Sequence, residues 1–556
     1  MSAFIENLIH RGHYLDARAK AEEMLETEPS LRVQQLYALA LSKSGGSEAA
    51  LAYLEPIHQS NPNDPETAGI LGGIYKELFK KNQQTSFALK ARDIYLKNFQ
   101  ATNNYYTGIN AAAMSAMMMQ ASKSKEIARQ VAQSIPANST DFWETVTRAE
   151  AYLLTKEKLL AIEQYAKARR AVESDWGKIA SVHNQLWLLN HYVQVPNEIF
   201  KLFAAPRVAA FSGHMIDQPD RATPRFPAAI EGKVKTAIAA NIQSLNVQIG
   251  FCSLACGSDI IFAETLLELG GEVNVWLPFD ANDFIETSVR FAGPQWLDRF
   301  TALMKKVPHT TITRQQYEGK NDLFGLLSKT IFGSAVLESN RYHNEPYLLS
   351  VLAENDRQMK EGGTRDSTLH WRFPNNRANV NPELFLSAHV DTTINKPLTR
   401  IPYSTRSVRH FVWMDLTNMP MLEKQKTEKT LTELQKTDAV EFQKAGQGIH
   451  LLAFLFEQEA ISELRKILAT VKKCIGWKML LHAGPNIQQV SDEGMNILQA
   501  MNRLAVEGNA YSSRTFAALL KLNTDDFVID YAGFLSSDAI ETQMVYKISY
   551  STANAN

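Results

Sequence analysis

At 556 residues the chain is several times a typical domain of roughly 150 residues, so more than one hydrophobic core is expected. Its 58 Lys+Arg against 59 Asp+Glu leave a net charge of −1, which argues against a large basic surface for bulk nucleic acid. A composition of 45% hydrophobic and 21% charged residues is that of a folded chain, and three cysteines exclude a disulfide framework and fit a reducing, cytoplasmic setting.

Met1 to Lys20 contains Glu6 and Asp16 and no apolar core of signal-peptide length, so no export is expected. The most lipid-like stretch, Ile109 to Met119, is about half the ~20 apolar residues of a membrane span and predicts a buried helix. The first 200 residues read as helices, and an offset of 33 pairs Gly12 with Gly45, Ala17 with Ala50 and Pro29 with Pro62, near the tetratricopeptide period. Helix pairs that cannot bury their apolar faces alone stack into a superhelix. Further helices are expected over Glu66 to Phe79, Phe87 to Phe99, Tyr105 to Met119, Phe142 to Leu154, Ala161 to Val172 and Lys178 to His191. On pattern alone, a plain helical array and a peptide-binding solenoid both fit. The strings ETAGILGGIYKELF, NYYTGINAAAM, FWETVTRAEAYLL and IASVHNQLWLL resemble the tetratricopeptide TRAF-binding region of apoptosis-signal-regulating kinases and of bacterial signalling proteins. The resemblance implies a regulatory scaffold that holds a protein partner through its helical repeats.

Beyond Pro206, strands are expected at Val208 to Phe211, Val247 to Phe251 and Val273 to Leu277, with helices over Ala228 to Ser244 and Ile260 to Leu269 between them. Such alternation predicts a parallel sheet with its ligand site in loops at the carboxyl ends of the strands. Small residues at Ser212-Gly213-His214 and Cys256-Gly257-Ser258-Asp259 would expose backbone N–H groups and a helix N-terminus to an anion, although neither the GxGxxG nor the P-loop spacing is present. Trp296 to Lys306 and Tyr347 to Lys360 read as outer helices, and Arg341 and Arg357 as surface charges or phosphate partners. Cys252 and Cys256 are four apart but lack the further ligands of a zinc set, so no metal is expected.

The order SGH, LACGSDIIFAETLLELGGEVNVWLPF, GGT resembles the SLOG superfamily, Rossmann-like domains that recognise nucleotides or nucleotide-derived signals, over about residues 205–390. The resemblance implies that Ser212, Gly213 and His214 form one wall, Gly257, Ser258 and Asp259 a second, and Gly362, Gly363 and Thr364 a phosphate cradle, with Glu264 facing the pocket. Arg365-Asp366-Ser367-Thr368 replaces the glutamate-bearing motif of the superfamily's phosphoribohydrolases, which implies binding rather than catalysis.

Pro374 to Ser407 reads as a polar linker. A strand over His410 to Leu416, a helical stretch over Glu423 to Gln443, the turn Gly446-Gln447-Gly448 and a strand over Ile449 to Phe456 follow. With WKMLLHAGP, GNAYSSRTFAALLKL, DYAG and VYKI, this resembles a class III adenylate/guanylate cyclase domain across residues 408–548. Such enzymes use two metal-binding aspartates and an Asn–Arg pair. Here Asp415 matches the first aspartate, Gln447 stands at the second, Asn496 falls at the Asn position, and Ala500 replaces the arginine, with Arg503 three residues on. A neutral amide is a poor ligand for a hard divalent cation, so a catalytically inactive pseudo-cyclase is expected.

The whole reads as an α plus α/β multidomain chain: a tetratricopeptide-like α-solenoid over 1–200, a Rossmann-like parallel-sheet domain over 205–390, and a cyclase-like α+β domain over 408–548. The function expected is that of a cytoplasmic signalling sensor or scaffold with a nucleotide-type ligand, a protein partner, no membrane association, and assembly as a homodimer or higher oligomer. An active purine nucleotidyl cyclase with atypical residues and a purely structural scaffold are the alternatives.

Overall fold

The computed structural model describes residues 2–172, 175–219, 221–354, 356, 358–386, 399–400, 407–434, 440–446, 448–487, 492–537 and 540–550. The chain divides into two compact units, Met1–Ala205 and Pro206–Asn556.

The first unit is helical: α1 (Ser2–His10), α2 (Tyr14–Thr27), α3 (Leu31–Lys43), α4 (Ser47–Ser60), α5 (Pro65–Asn82), α6 (Thr85–Thr102), α7 (Tyr105–Met117), α8 (Ala121–Ser134), α9 (Phe142–Thr155), α10 (Lys158–Val172), α11 (Trp176–Asn190) and α12 (Asn197–Leu202). Two local signals recur along it. Five odd-numbered helices start behind a side chain that accepts a first-turn N–H: Ser30 from Val33 (3.3 Å), Asp64 from Thr67 (2.7 Å), Asn104 from Thr107 (3.1 Å), Asp141 from Glu144 (2.9 Å) and Asp175 from Lys178 (3.0 Å). These caps satisfy amides that the helix itself leaves unpaired. The turn after each of α1, α3, α5, α7 and α9 passes through the left-handed region, at Gly12, Gly45, Gln83, Met119 and Lys156. Only the first two are glycine, which is why the sequence shows the repeat clearly at its start and faintly afterwards.

Small residues let these helices approach. A Cβ on Gly72 would sit 2.6 Å from the Tyr95 ring, and one on Gly108 would sit 2.6 Å from Val131 and 2.8 Å from Phe99. Ala111, Ala112 and Ala113 of α7 are fully buried, so the lipid-like stretch is the centre of the solenoid. Among the described residues no helix is long and apolar enough to cross a membrane.

The second unit opens with β1 (Arg207–Gly213), α13 (Glu231–Ser244), β2 (Val247–Cys252), α14 (Ser258–Glu268), β3 (Glu272–Leu277), α15 (Ala281–Ser288), α16 (Pro294–Lys306), β4 (His309–Thr311), α17 (Asp322–Asn340), β5 (Tyr347–Val351), β6 (Gln358–Met359), α18 (Thr364–Leu369) and β7 (Arg377–Val380). Six strands form a parallel sheet in the order β4-β3-β2-β1-β5-β7. The direction of winding reverses between β1 and β5, the point at which open α/β sheets leave a crevice.

The outer helix expected over Tyr347 to Lys360 is instead β5 followed by a loop and β6. Tyr347-Leu348-Leu349-Ser350-Val351 is a short apolar run enclosed between β1 and β7, and such a run has no alternation to distinguish it from a buried helix. The expected linker over Pro374 to Ser407 holds β7, while Arg357, residues 387–398 and residues 401–406 lie outside the described residues.

The remainder comprises β8 (Thr399–Arg400), β9 (Val408–Asp415), α19 (Met421–Leu434), β10 (Val440–Gly446), β11 (Ile449–Phe454), α20 (Glu457–Val471), β12 (Lys478–Pro485), α21 (Glu493–Leu504), β13 (Asn509–Ser513), α22 (Arg514–Asn523), β14 (Phe527–Ser537) and β15 (Ile540–Tyr550). Seven strands form a mixed sheet, β10-β11-β9-β12-β13-β15-β14, in which only β12 and β13 run parallel. The helix expected over Glu423 to Gln443 ends at Leu434, and its last part is β10, paired to β11 in a hairpin.

The two sheets share a helical layer. A Cβ on Gly333 of α17 would fall 2.7 Å from the Cα of Ala518 in α22, so glycine is what lets these backbones touch. Arg514, buried in the same layer, donates to Ser334 Oγ (3.1 Å) and lies over the rings of Phe251 and Trp276, 5.3 and 5.6 Å from their centroids.

Candidate functional site

A cavity of about 380 Å³ opens at the carboxyl ends of β1 and β5. Ser212, Gly213, His214, Asp259, Gly362, Gly363 and Thr364 line it, so residues 45 to more than 100 positions apart in sequence meet at one crevice. Gly257 and Ser258 stand behind its wall. Gly257 has φ 102° and bridges to Met215, and a Cβ there would sit 2.9 Å from Met215 C and 3.0 Å from His214 O. Its small size therefore serves the approach of two protein loops. The Ser258 N–H (3.1 Å) and Oγ (2.8 Å) both donate to the His214 carbonyl. Glu264 does not line the cavity: it receives Arg299 Nε at 2.9 Å and Nη2 at 2.6 Å, because this side of α14 packs against α16.

The phosphate cradle expected at the glycine pair needs the same correction. The Gly362 N–H donates to Asp366 Oδ2 (3.1 Å) and the Gly363 N–H to the Lys360 carbonyl (2.8 Å), so both amides are already engaged. Gly362, at φ 72°, packs against Phe324 and Gly325 at the start of α17. Positive charge in the cavity comes instead from Arg221, Arg225, Lys360 and Arg365. Arg225 Nη1 meets Asp356 Oδ2 at 3.0 Å, and Arg365 Nη2 donates to the carbonyls of Ala353 (3.0 Å) and Glu354 (2.9 Å). The sequence reading missed these cations; the available signal was the pair Arg221 and Arg225 in the loop that leaves the SGH turn.

Burial sets the protonation of the cavity's other groups. His214 Nε2 accepts the Ala353 N–H at 3.0 Å, which places the ring proton on Nδ1. Burial, then the nearby Arg225, hold its pKa down at about 3, so the ring is neutral. Asp259 moves the other way: burial pushes its carboxyl up to about 7 even though the Ala255 and Gly213 amides bond to it. Tyr317 and Phe324 also line the cavity; Tyr317 stacks on Phe279 (centroids 4.6 Å) and meets Phe324 edge-on at 5.9 Å. The thiols of Cys252 and Cys256 are buried and unbonded to each other, and burial pushes Cys256 up to about 12.

In the mixed-sheet module, Asp415 ends β9 and accepts the Thr417 N–H (3.0 Å) and Asn502 Nδ2 (3.3 Å). Burial alone would raise its carboxyl, but those bonds and Lys478 hold it below the ordinary range. Asn496 and Ala500 lie on α21, Ala500 buried, while Arg503 on the same helix is exposed to solvent. Gln447 lies outside the described residues. Among the described residues no cluster of three or more His, Cys, Asp or Glu could hold a metal ion.

In the helical unit a polar network crosses four helices. Lys76 donates to Asn110 (3.2 Å) and Gln185 (3.1 Å), and Gln185 donates to Glu150 (2.9 Å). Burial lowers Lys76 to about 8 and raises Glu150 to about 6.

Comparison with known proteins bears on this helical unit. Among solved structures, the chain is similar to a thermophilic TPR protein of Thermus thermophilus (17% identity over 33% of this chain and 96% of that one, TM-score 0.29). It is also similar to MamA of Desulfovibrio magneticus RS-1 (16% identity, 31% and 92%, TM-score 0.22) and to a tetratricopeptide repeat protein of Parabacteroides merdae ATCC 43184 (10% identity, 36% and 81%, TM-score 0.24). No curated protein matches the chain. Residues 13–115 match the family Tetratricopeptide Repeats-Sensor, and the N-terminal helices are thus repeats of the tetratricopeptide type.

Proposed function

We propose that the chain is a signalling sensor and scaffold: the parallel-sheet module binds a nucleotide-type ligand, the helical repeats hold a protein partner, and the cyclase-like module is a platform without turnover. The observation that carries the reading is the cavity at the switch point of β1 and β5, which Arg225, Lys360 and Arg365 line together with Tyr317 and Phe324. Arginine suits phosphate and an aromatic face suits a base. A volume of about 380 Å³ lies at the small end of ligand pockets, a size for one nucleotide. With the glycine-loop amides engaged internally, the anion is held by side chains.

The absence of turnover is supported by Ala500, which gives a buried methyl where a cyclase carries a charge clamp, and by the exposure of Arg503. Incubation with ATP or GTP and manganese should yield no cyclic product; product lost in Asp415→Ala would overturn this part. On the cyclase resemblance the module is expected to self-associate, and a monomer at tens of micromolar by sedimentation would contradict that.

For the ligand, a thermal-shift screen of nucleotides and ribose phosphates should yield a stabiliser, since ligand at 100 times its dissociation constant adds about 2.7 kcal/mol. Lys360→Glu, which reverses the charge at the exposed rim, should abolish the shift without lowering the unliganded midpoint. A broad library with no stabiliser would leave the structural-scaffold reading in its place.

A further inference from the structure

The inner face of the helical repeats is already occupied, and its occupant belongs to the chain itself. Successive odd-numbered helices touch one another at the repeat spacing. Arg32 of α3 meets Glu66 of α5 (2.8 Å) and Lys76 of α5 meets Asn110 of α7 (3.2 Å), each pair 34 residues apart. Tyr106 of α7 packs against Gly69 of α5, where a Cβ would sit 3.2 Å from its ring. The odd helices therefore line one continuous face, the side on which stacked repeats receive their partners.

Helix α11 breaks this order. Gln185 donates to Glu150 of α9 (2.9 Å), 35 residues back, as a further repeat would. The same side chain also accepts from Lys76 of α5 (3.1 Å), 109 residues back. Neighbouring helix axes lie about 8–10 Å apart, so three regular steps would hold α11 more than about 20 Å from α5, farther than a lysine and a glutamine reach together. Helix α11 thus does not continue the stack; it turns in across α5, α7 and α9 and lies on their shared face. Its seat has two parts. Ile179, Val182, Leu186 and Leu189 recur on one side of the helix and are at most 3% exposed. Beside them the Gln185 amide bridges Lys76 and Glu150, while Asn184 Oδ1 is buried with no hydrogen-bond partner among the described residues. On its other flank His183 Nδ1 lies 3.0 Å from the Phe203 carbonyl oxygen. Buried polar contacts of this kind fix register while adding little stability, so α11 is held as a docked segment.

We infer that α11 is an internal stand-in for the partner: the inner face of the repeats takes an amphipathic helix with apolar residues at the spacing of Ile179, Val182, Leu186 and Leu189 and an amide at the place of Gln185, and a partner bearing such a helix displaces α11. The inference rests on the reading that the repeats hold a protein partner and names that partner's chemistry. The amide position sets selectivity. An apolar residue there would remove the donor to Glu150 and one of the two acceptors of Lys76, leaving buried polar groups unpaired.

The probe is a labelled synthetic peptide of residues 176–190, titrated into two forms of the full chain: the unaltered protein and Leu186→Asp/Leu189→Asp, which places two charges on the buried side of α11 and releases it. The released chain should bind the peptide at least tenfold more tightly than the unaltered chain, whose face is filled. A peptide carrying Gln185→Ala should bind the released chain at least tenfold more weakly than the unaltered peptide. Should the double variant lose the circular-dichroism signal of the remaining helices, Gln185→Ala in the chain breaks both bonds but keeps the apolar side, and gives the same comparison with a several-fold effect. Equal binding to both chains, no uptake by the released chain, or indifference to Gln185 in the peptide overturns the inference. A displayed random-peptide library panned on both chains tests the broader reading separately: peptides of other sequence selected by either chain keep a protein partner on another face, and none from either chain removes that reading as well.

Discussion

Asp259 is a carboxyl held where its charge is disfavoured, and the consequence for stability has a definite sign. Its pKa of about 7 in the folded chain exceeds the ordinary 3.8, so the folded state binds the proton more tightly than the unfolded state does. Stability is therefore lost as the pH rises from about 4 through 7. Asp259→Asn should raise the unfolding free energy obtained from urea melts at pH 8 by about 2–4 kcal/mol, at ~1.4 kcal/mol per pKa unit, with the gain shrinking towards pH 4. An Asn that destabilises at pH 8 would mean that the ionised carboxylate is better satisfied than its surroundings indicate. His482 acts with the opposite dependence. Burial lowers it to about 4 beside Ser513 Oγ (3.0 Å), so the unfolded chain takes up a proton below about pH 6.5 that the folded chain refuses. The stability it contributes is full above that pH and falls as the pH drops towards 4. His482→Asn should flatten the acid limb of the stability profile by about 3 kcal/mol between pH 7 and 4, measured by urea melts across that range.

Among the elements, the recurrent cap-and-turn pairs explain what could be read without coordinates. Ser30, Asp64, Asn104, Asp141 and Asp175 are ordinary capping residues at the starts of helices, and the expected helices of the first unit fall within a few residues of those observed. Asp64 also binds Gln35 Nε2 (2.7 Å) and Thr67 Oγ1 (2.7 Å), which ties α5 to α3. Asp64→Ala should cost about 1–2 kcal/mol by denaturant melts, against a few tenths for removal of an exposed carboxylate such as Glu48. Glycine at position 333 cannot be read this way, since its reason is a neighbour nearly 200 residues on. Gly333→Val should drive α17 from α22 at a cost of about 3 kcal/mol, visible as lost cooperativity in melting of the second unit. The same limit governs β5: Tyr347 to Val351 became legible as a strand only once β1 and β7 stood on either side. It also governs the cavity. Turn residues at Ser212–His214 and Asp259 stand out by spacing, whereas Arg225 and Arg365 are single charges in polar loops, and only the fold brings them to the end of β5. Glu264 shows the converse, a plausible position whose helix face turns to Arg299.

For the molecule as a whole, the two compact units separate two kinds of surface. The first offers repeated helices of the tetratricopeptide type, and the second encloses a polar cavity between strands and a helical layer that also covers a second sheet. Because α17 lines the cavity through Phe324, Leu327 and Ile331 and touches α22 through Gly333, a ligand in the cavity bears directly on the element shared by the two sheets. The function proposed for the second unit depends on that ligand. Native mass spectrometry of the full chain with a panel of ribonucleotides measures it most directly, because it reads both stoichiometry and ligand mass. The predicted result is a one-to-one complex per chain with at least one ribonucleotide, lost in Lys360→Glu; a chain that shows no complex with any member of the panel, or one that binds equally after Lys360→Glu, would contradict it.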